Sequence, residues 1–311
     1  MVKLQQPKFA YYRGAVRPWE GAVIHAGDEG TYRGINVFEG LKGYWQPDGR
    51  MGILAVPRHY ERLRRSARLL HIPFEMTLDQ FDDAVHALVE SLCVPEQEIW
   101  VRATLYLTRG LWGQDQQSDL IMTAFLMGME APKPVRIGVT AWRRATDLML
   151  PARIKTSTNY QAARLARIEG SPRGFADMIM LNHQDRVAES GVACVLVVRD
   201  GKVFTPPPTE GALESITVDI LETLARDMGI PFERRPVDRT ELYVADEIAL
   251  AGTITELTTV LSVEDNPTSQ KTDLLGQLGR RYRAAARGTE PHPAIDLSCR
   301  RYGKTAAAVP G

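Results

Sequence analysis

A seven-residue segment, GMEAPKP at 128–134, contains two prolines and has no hydrophobic periodicity. Proline lacks a backbone N–H donor and fixes its φ angle, so this segment is typical of a linker rather than of a helix or a central strand. Helix-like and strand-like patterns lie on both sides of it. Since 311 residues exceed what most single cores contain, we predict two domains, 1–127 and 135–311, joined by this linker.

Two amphipathic helices are predicted in the first half. Residues 57–70 begin with Pro57, which suits the first turn of a helix, and they place apolar side chains along one stripe. Residues 77–92 open with Thr77 and Gln80 at the spacing of a capping box. Two β-rich runs follow these helices, EIWVRATLYLT and DLIMTAFLMG. This half therefore mixes strands with helices.

The second half also contains both kinds of element. VRIGVTAW at 135–142 predicts a strand, and helices are predicted over 159–170 and over 215–229, where Gly229 is a common C-terminal cap. Further strands are predicted around ADMIMLN, CVLVVRDGKVFTP and DEIALAG. Because strands and helices do not alternate strictly, we predict an α+β fold rather than a doubly wound parallel sheet.

Composition and charge exclude several classes of protein. The 38 basic and 38 acidic side chains give zero formal net charge, which argues against a nucleic-acid or anionic-membrane surface. The three cysteines form no metal-spaced pair, so we predict free thiols and no metal site. No run has the length of a membrane span, and the N-terminus has no apolar signal-peptide core. We expect a soluble cytoplasmic protein.

Lys155 is the first candidate for covalent chemistry. The chain has eight lysines against thirty arginines, so a lysine among the small hydroxyl residues of LPARIKTSTNY is an unusual choice. A primary amine can form a Schiff base, whereas a guanidinium cannot. The ordinary alternative is a solvated loop charge.

Other positions could supply the remaining groups that pyridoxal phosphate (PLP) requires. This cofactor needs an amine for its aldehyde, a carboxylate facing its pyridine nitrogen, and a phosphate cradle of N–H groups, hydroxyls and usually an arginine. Glu189 could supply the carboxylate. The candidate phosphate ligands are Arg62, Ile216, Thr217 and Thr253. Taken singly, each of these residues has an ordinary alternative: a solvated charge, a helix cap or a turn hydroxyl.

The order of these segments resembles the fold-type IV PLP enzymes, and among them most closely the branched-chain amino acid aminotransferases. The family's lysine and glutamate match Lys155 and Glu189, with the distance between them preserved. The resemblance covers nearly the whole chain and rests on seven segments: INVFEG (35–40), HYERLRRSA (59–67), WVRA (100–103), KTSTNY (155–160), AES (188–190), FTPPPTEGALESITVD (204–219) and LYVADEIALAGTITELTTV (242–260).

The resemblance implies a fold and a set of roles. It implies the two-domain α+β fold of D-amino acid aminotransferase type, with a small N-terminal domain, a large PLP-binding domain, and assembly into a homodimer or a higher homo-oligomer. Lys155 would be the Schiff-base lysine and proton carrier, Glu189 would face the pyridine nitrogen, and Tyr160 would bond the phenolic oxygen. The implied phosphate ligands are Arg62, Ile216, Thr217 and Thr253. The implied substrate-binding residues are Arg33, Phe38, Trp100, Arg102, Thr253 and Ile254.

The chain departs from the family in two places. Near the cofactor, Cys194 replaces a usual asparagine, Ser215 replaces a glycine, and Glu214 replaces a proline, which brings a negative charge close to the phosphate. In the substrate pocket, Arg33 and Trp100 replace tyrosines. Arg102, which in the family binds the distal carboxylate of glutamate, is retained.

These departures leave alternatives to the main functional prediction. The main prediction is a PLP-dependent aminotransferase that pairs a branched-chain or related amino acid with glutamate and 2-oxoglutarate. The alternatives within the fold are an (R)-selective amine or D-amino acid aminotransferase, or an aminodeoxychorismate lyase. The string TRG at 108–110 also occurs in the first two of these, although Gln114 stands where the D-amino acid enzymes carry arginine. A relic of the fold serving as an interaction protein is a further alternative.

Overall fold

The computed structural model of the chain describes residues 5–269 and 271–302. The described residues form two compact units, one within 131–285 and one that combines residues 5–130 with residues 286–302. The boundary at 130 and 131 lies within the segment 128–134. Residues 286–302 fall in the N-terminal unit rather than with the predicted range 135–311, because the last strand pairs with a strand of that unit.

Strands and helices are distributed over both units. The strands are β1 (Phe9–Tyr12), β2 (Ala15–Pro18), β3 (Asn36–Trp45), β4 (Met51–Leu54), β5 (Glu98–Arg109), β6 (Gln117–Met127), β7 (Val135–Arg143), β8 (Asp177–Leu181), β9 (Val187–Ser190), β10 (Cys194–Arg199), β11 (Lys202–Thr205), β12 (Phe232–Arg234), β13 (Glu247–Gly252), β14 (Glu256–Val263), β15 (Asn266–Pro267) and β16 (Leu297–Arg300). The α-helices are α1 (Glu29–Tyr32), α2 (Val56–Leu69), α3 (Leu78–Leu92), α4 (Tyr160–Gly170), α5 (Ile216–Asp227) and α6 (Leu274–Ala286).

The N-terminal unit is built on an antiparallel sheet in the order β16-β4-β3-β5-β6-β1-β2. Helix α2 packs on β3, and α3 packs on β6 and β1. Side chains of a strand point alternately to the two faces of a sheet. Glu39 is therefore on the face that α2 covers, whereas Phe38 and Gly40 are on the other face with Trp100 and Arg102 of the paired strand β5.

The C-terminal unit contains a mixed sheet in the order β12-β11-β10-β13-β14-β7-β8-β9, with β15 paired to β14. The pairs β11–β12, β14–β7 and β7–β8 are parallel, and the others are antiparallel. Helix α4 packs on β7 and β8, and α5 packs on β13 and β12. Apolar side chains from the central strands form one buried cluster, which includes Ile137, Ile179, Val195, Ile248, Leu250 and Val260. The candidate residues of this unit lie in the loop before α4, at the starts of α4 and α5, in β9 and in the turn between β13 and β14.

Several predicted elements are confirmed, including the α+β class of the fold. The helix predicted over 57–70 is α2. The helix predicted over 77–92 is α3, and its capping box is present: the Thr77 hydroxyl accepts from the Gln80 N–H at 3.3 Å, and the Gln80 side chain accepts from the Thr77 N–H at 2.8 Å. Helix α5 is followed by Gly229 with a φ of 70°. Within residues 5–269 and 271–302, no helix is long and apolar enough to cross a membrane.

Gly43 in β3 has no space for a side chain. A Cβ at this position would lie 2.7 Å from Ile99 Cγ2, 2.8 Å from Ile53 Cδ1 and 2.9 Å from Met51 Sδ. Gly43→Ala should therefore lower the free energy of unfolding by about 1–3 kcal/mol, the usual effect of overpacking a core. Urea unfolding of the full chain measures this. The matched control is Gly21→Ala, where a Cβ meets no atom within 4 Å. Its urea midpoint should stay near that of the wild type. Equal shifts of the midpoint in both variants would contradict overpacking at Gly43.

Candidate active site

Lys155 lies in the loop between β7 and α4, and its amine contacts the side chain of Tyr160. Nζ of Lys155 donates a hydrogen bond to the Tyr160 hydroxyl at 2.9 Å, and Lys155 is half-buried. Asn159 fixes this loop, because its side-chain amide donates to the carbonyls of Pro151 at 3.0 Å and Ile154 at 2.9 Å. Two of the predicted cofactor ligands are therefore brought together where this loop, held by the Asn159 side chain, leads into α4.

Glu189 lies in β9 with a buried side chain, and both of its carboxylate oxygens contact protein donors. Oε1 lies 3.1 Å from Nη2 of Arg144, and Oε2 accepts from the backbone N–H of Leu213 at 3.1 Å. The buried Arg144 also donates through Nε to the Gly211 carbonyl at 3.1 Å and through Nη1 to the Asn159 carbonyl at 3.3 Å. Because burial of a charged group requires such partners, the carboxylate of Glu189 is held in one orientation.

The first turn of α5 has the features of an anion-binding site. Ile216 and Thr217 are its first two residues, and the first N–H groups of a helix have no acceptor within the helix. The hydroxyl of Ser215, the N-cap, accepts from the N–H of Val218 at 3.2 Å, so the cap uses the third N–H rather than the first two. A phosphate at this helix end would meet N–H donors and the positive end of the helix dipole.

Two departures from the family pattern lie close to α5. Arg153 lies 3.3 Å from the carboxylate of Glu214, so the negative charge near the predicted phosphate site has a cationic partner. The thiol of Cys194 contacts the carbonyl of Leu213 at 3.8 Å. Leu213 is also the residue whose N–H binds Glu189. Glu214 therefore has a cationic partner, and Cys194 contacts the residue that binds Glu189.

The turn between β13 and β14 contains the other predicted ligands, Thr253 and Ile254. Thr253 is half-buried and Ile254 is exposed. Glu256, which follows this turn, is buried and has a φ of 48°, a left-handed conformation that is uncommon for residues other than glycine. A Cβ at Gly252 would lie 3.0 Å from the hydroxyl oxygen of Thr255. The turn therefore combines a close contact at Gly252 with a left-handed residue at Glu256.

In the N-terminal unit, Arg62 of α2 is buried against Glu39 of β3. Nε and Nη2 of Arg62 donate to the two carboxylate oxygens, each at 2.7 Å, and Nδ1 of His59 lies 2.7 Å from Oε2. Burial alone would raise the pKa of Glu39, but the charge of Arg62 and the hydrogen bonds from Arg62 and His59 hold this pKa far below its usual value of 4.5. Arg62 is thus a rigidly held cation, and its predicted role in phosphate binding stays a prediction.

Three predicted substrate-binding residues lie on one face of the N-terminal sheet. The guanidinium carbon of Arg102 lies 3.7 Å from the ring centroid of Phe38. Trp100 stacks on Phe125, with ring centroids 5.6 Å apart. A Cβ at Gly40 would lie 3.0 Å from Nε1 of Trp100, so the glycine leaves space for the indole ring. This face combines aromatic surface with one arginine.

Arg33 occupies a different environment from these three residues. It directly follows α1, and its Nη1 lies 2.6 Å from the carboxylate of Glu29, with 42% of the Arg33 side chain exposed. Its guanidinium carbon also lies 4.8 Å from the ring centroid of Tyr32. Arg33 therefore has a local ion pair, and its role in substrate binding stays a prediction.

The C-terminal unit gathers chemically complementary groups. It holds an amine in contact with a phenol, a buried carboxylate with fixed oxygens, and a helix N-terminus suited to a phosphate. These are the kinds of group that PLP requires, so the residues fit that cofactor.

The family comparison agrees with this chemistry. The model of the family described as amino-transferase class IV matches residues 36–263, which include the Lys155 loop, Glu189 and the start of α5. The chain belongs to the class IV aminotransferases. This assignment confirms the predicted family.

Relatives of this class IV aminotransferase support the same assignment. A probable branched-chain-amino-acid aminotransferase of Aquifex aeolicus is 30% identical over 272 residues, which cover 85% of this chain and 87% of the relative. The crystal structure of a branched-chain amino acid aminotransferase from Thermobaculum terrenum in its PLP form has 31% identity and a TM-score of 0.86, covering 94% of this chain and 98% of that one. A branched-chain aminotransferase from Thermoproteus uzoniensis with norvaline has 27% identity and a TM-score of 0.87, with the same coverage of both chains. The predicted fold is therefore confirmed.

No sequence pattern indicated four residues of this class IV aminotransferase, three of which hold predicted ligands in place and one of which, Arg153, pairs with Glu214. They are Glu39, Arg144, Arg153 and Asn159. Asn159 lies in the segment KTSTNY and Glu39 lies in INVFEG, where neighbouring residues carry the predicted functions. The arginines gave no signal, since in a chain with thirty arginines a buried arginine has the same sequence signature as an exposed one.

Glu39 should make the stability of this class IV aminotransferase sensitive to acid. Its pKa is lower in the folded chain than its usual value of 4.5, so the unfolded state binds more protons as the pH falls below that value. The stabilisation is complete above the unfolded pKa and is lost as the pH falls through the folded pKa. The urea midpoint of the wild type should therefore be much lower below pH 4.5 than at neutral pH.

Glu39→Gln should remove much of this acid dependence. It should also lower stability at neutral pH by roughly 3–5 kcal/mol, because Arg62 would be left as a buried charge without its carboxylate. The control is Glu61→Gln in α2, since Glu61 is 61% exposed and lies 3.5 Å from Arg64. The control should retain the wild-type acid profile. An unchanged profile in Glu39→Gln would contradict the role of Glu39.

Proposed function

We propose that this class IV aminotransferase uses PLP to transfer an amino group between a branched-chain amino acid and 2-oxoglutarate, with glutamate as the second amino acid. The observation that carries the proposal is the hydrogen bond between the Lys155 amine and Tyr160, in the same unit as the buried, doubly anchored carboxylate of Glu189. The PLP form of the Thermobaculum terrenum relative supports the cofactor, and norvaline in the Thermoproteus uzoniensis relative supports an amino acid with an apolar side chain.

Lys155, Tyr160 and Glu189 have separate tasks in this proposal. PLP supplies an aldehyde and an electron-withdrawing ring. Lys155 would hold the aldehyde carbon through its amine and, once released, would move the proton at the substrate α-carbon. Tyr160 would orient that amine, as its present hydrogen bond to Nζ does. Glu189 would accept a hydrogen bond from the pyridine nitrogen with a carboxylate that is already fixed.

The proposed phosphate ligands are backbone N–H groups and hydroxyls at two places in the C-terminal unit. Ile216 and Thr217 would donate from the first turn of α5, where the helix dipole favours an anion. Thr253 would donate from the tight turn that follows β13. Arg62 is proposed as a further phosphate ligand, on the family resemblance and on its fixed charge.

The pocket of such an enzyme must accept both an apolar side chain and a carboxylate. The sheet face with Phe38, Trp100 and Arg102 has groups for both, since the rings offer apolar contact and the guanidinium offers bidentate hydrogen bonding. Stacking on Phe38 uses the flat face of the Arg102 guanidinium, whereas its N–H donors lie along its edge. We propose that Arg102 binds the distal carboxylate of glutamate. Thr253 and Ile254 are proposed as further substrate contacts.

The setting and assembly of the enzyme are also proposals. The cysteines of the chain are free thiols, which supports a cytoplasmic location: Cys93, Cys194 and Cys299. Exposed apolar side chains at Leu148 and Met149 support self-association into the homodimer or higher homo-oligomer that the resemblance implies.

A single-turnover donor screen tests the proposed function. The full chain loaded with PLP is mixed with one amino donor at a time, and conversion of the cofactor to its amine form is followed by absorbance. Leucine, isoleucine, valine and glutamate in their L forms should all react, and Lys155→Ala should react with none. Reaction confined to D-amino acids or (R)-amines would contradict the proposal in favour of that alternative. If no donor converts the cofactor to its amine form and the protein releases pyruvate from aminodeoxychorismate, the lyase would be favoured.

Arg102→Ala should separate the two kinds of donor. A bidentate arginine–carboxylate contact in a closed pocket contributes roughly 1.5–3 kcal/mol. Glutamate should therefore bind about 10- to 150-fold more weakly, whereas leucine should change much less. Half-reaction titrations with both donors measure this. The control is Arg109→Ala, an exposed arginine on the same strand, which should leave both titrations unchanged. Equal weakening of both donors by Arg102→Ala would mean that Arg102 only supports the pocket wall.

A further inference from the structure

We propose that Arg144 is the positioning residue for Glu189, so that the orientation of this carboxylate toward the cofactor depends on one guanidinium. This inference rests on the proposed function. Arg144 lies outside all the predicted ligand positions, and each of its three guanidinium nitrogens has a contact that bears on Glu189 or on the guanidinium itself. Arg144 has no proposed contact with substrate or cofactor.

Two of the three nitrogens fix the guanidinium itself. Nε donates to the Gly211 carbonyl at 3.1 Å and Nη1 donates to the Asn159 carbonyl at 3.3 Å. The backbone of Arg144 is held as well, because its N–H donates to the Leu181 carbonyl at 3.0 Å. Gly211 has a φ of 90°, and a Cβ there would lie 3.4 Å from the Cβ of Arg144. The side chain is 8% exposed, so its position is defined by protein contacts.

The third nitrogen fixes the carboxylate. Nη2 of Arg144 lies 3.1 Å from Oε1 of Glu189, and the backbone N–H of Leu213 binds Oε2 at 3.1 Å. Each carboxylate oxygen can accept more than one hydrogen bond, so this two-point attachment sets the plane of the group and retains acceptor capacity. A pyridine N–H of the cofactor would use that capacity.

The geometry requires arginine at this position. A guanidinium presents N–H donors in a rigid planar fork, which can bind two carbonyls and a carboxylate at once. A lysine at 144 would keep the charge, but a single ammonium on a flexible side chain could not donate to Gly211, Asn159 and Glu189 at the same time. A glutamine would lose the charge and leave Glu189 as a buried carboxylate without its cationic partner. These two substitutions therefore separate charge from geometry.

The test measures PLP affinity by absorbance titration of the PLP-depleted full chain. Arg144→Gln should weaken PLP binding by about 10- to 100-fold, the usual effect of losing a group that orients a ligand-bearing side chain. Arg144→Lys should restore part of this loss. The matched control is Arg143→Gln, because the neighbouring Arg143 lies 2.6 Å from Asp185 in an exposed ion pair. The control should bind PLP like the wild type.

A double-mutant cycle with Glu189→Gln distinguishes positioning from a general structural role. If Arg144 acts through Glu189, adding Arg144→Gln to Glu189→Gln should change PLP affinity by less than about threefold. An equal effect of Arg144→Gln in both backgrounds, or no effect in the wild-type background, would overturn the inference. If Arg144→Gln fails to fold, the same cycle is carried out with Arg144→Lys and judged by the same criterion. Failure of the wild type itself to bind PLP would instead overturn the proposed function.

Discussion

The buried ion pair between Arg144 and Glu189 is the interaction on which the C-terminal unit's candidate site depends. Through one guanidinium it connects strand β9, the loop that precedes α4, and the segment that leads to α5. Those three segments carry Glu189, Lys155 with Tyr160, and the helix N-terminus. Because a charge removed from water must be compensated at short range, displacement of any of these segments would leave an uncompensated group. The pair therefore couples segments that are far apart in sequence.

The N-terminal unit contains a second buried pair of the same kind. Arg62 binds both oxygens of Glu39 at 2.7 Å, and His59 contacts the same carboxylate. Such pairs contribute little net stability compared with apolar packing, but breaking one by removing a partner is costly. Their value to an enzyme is that they hold charged side chains in fixed directions. Each unit thus contains an arginine that burial and hydrogen bonding make rigid.

The sequence was informative where local chemistry repeats a known pattern. The capping box of Thr77, the cap at Gly229 and the start of α5 at Ile216 depend on neighbouring residues, so they could be predicted. The order of the strands and the return of β16 to the N-terminal unit depend on pairing between distant segments, and no local pattern indicates them. The partners of Glu189 were missed for the same reason, since Arg144 reaches that carboxylate across 45 positions of the chain.

The central claim is that Lys155 is the amine that binds the cofactor. The most direct measurement is reduction of the PLP-loaded full chain with borohydride, followed by proteolysis and mass spectrometry of the lysine-containing peptides. Reduction makes the bond between amine and cofactor permanent, so the label identifies the residue. Lys155 alone among the eight lysines should carry the pyridoxyl group. A label on another lysine, or no label in protein that retains PLP, would contradict this claim.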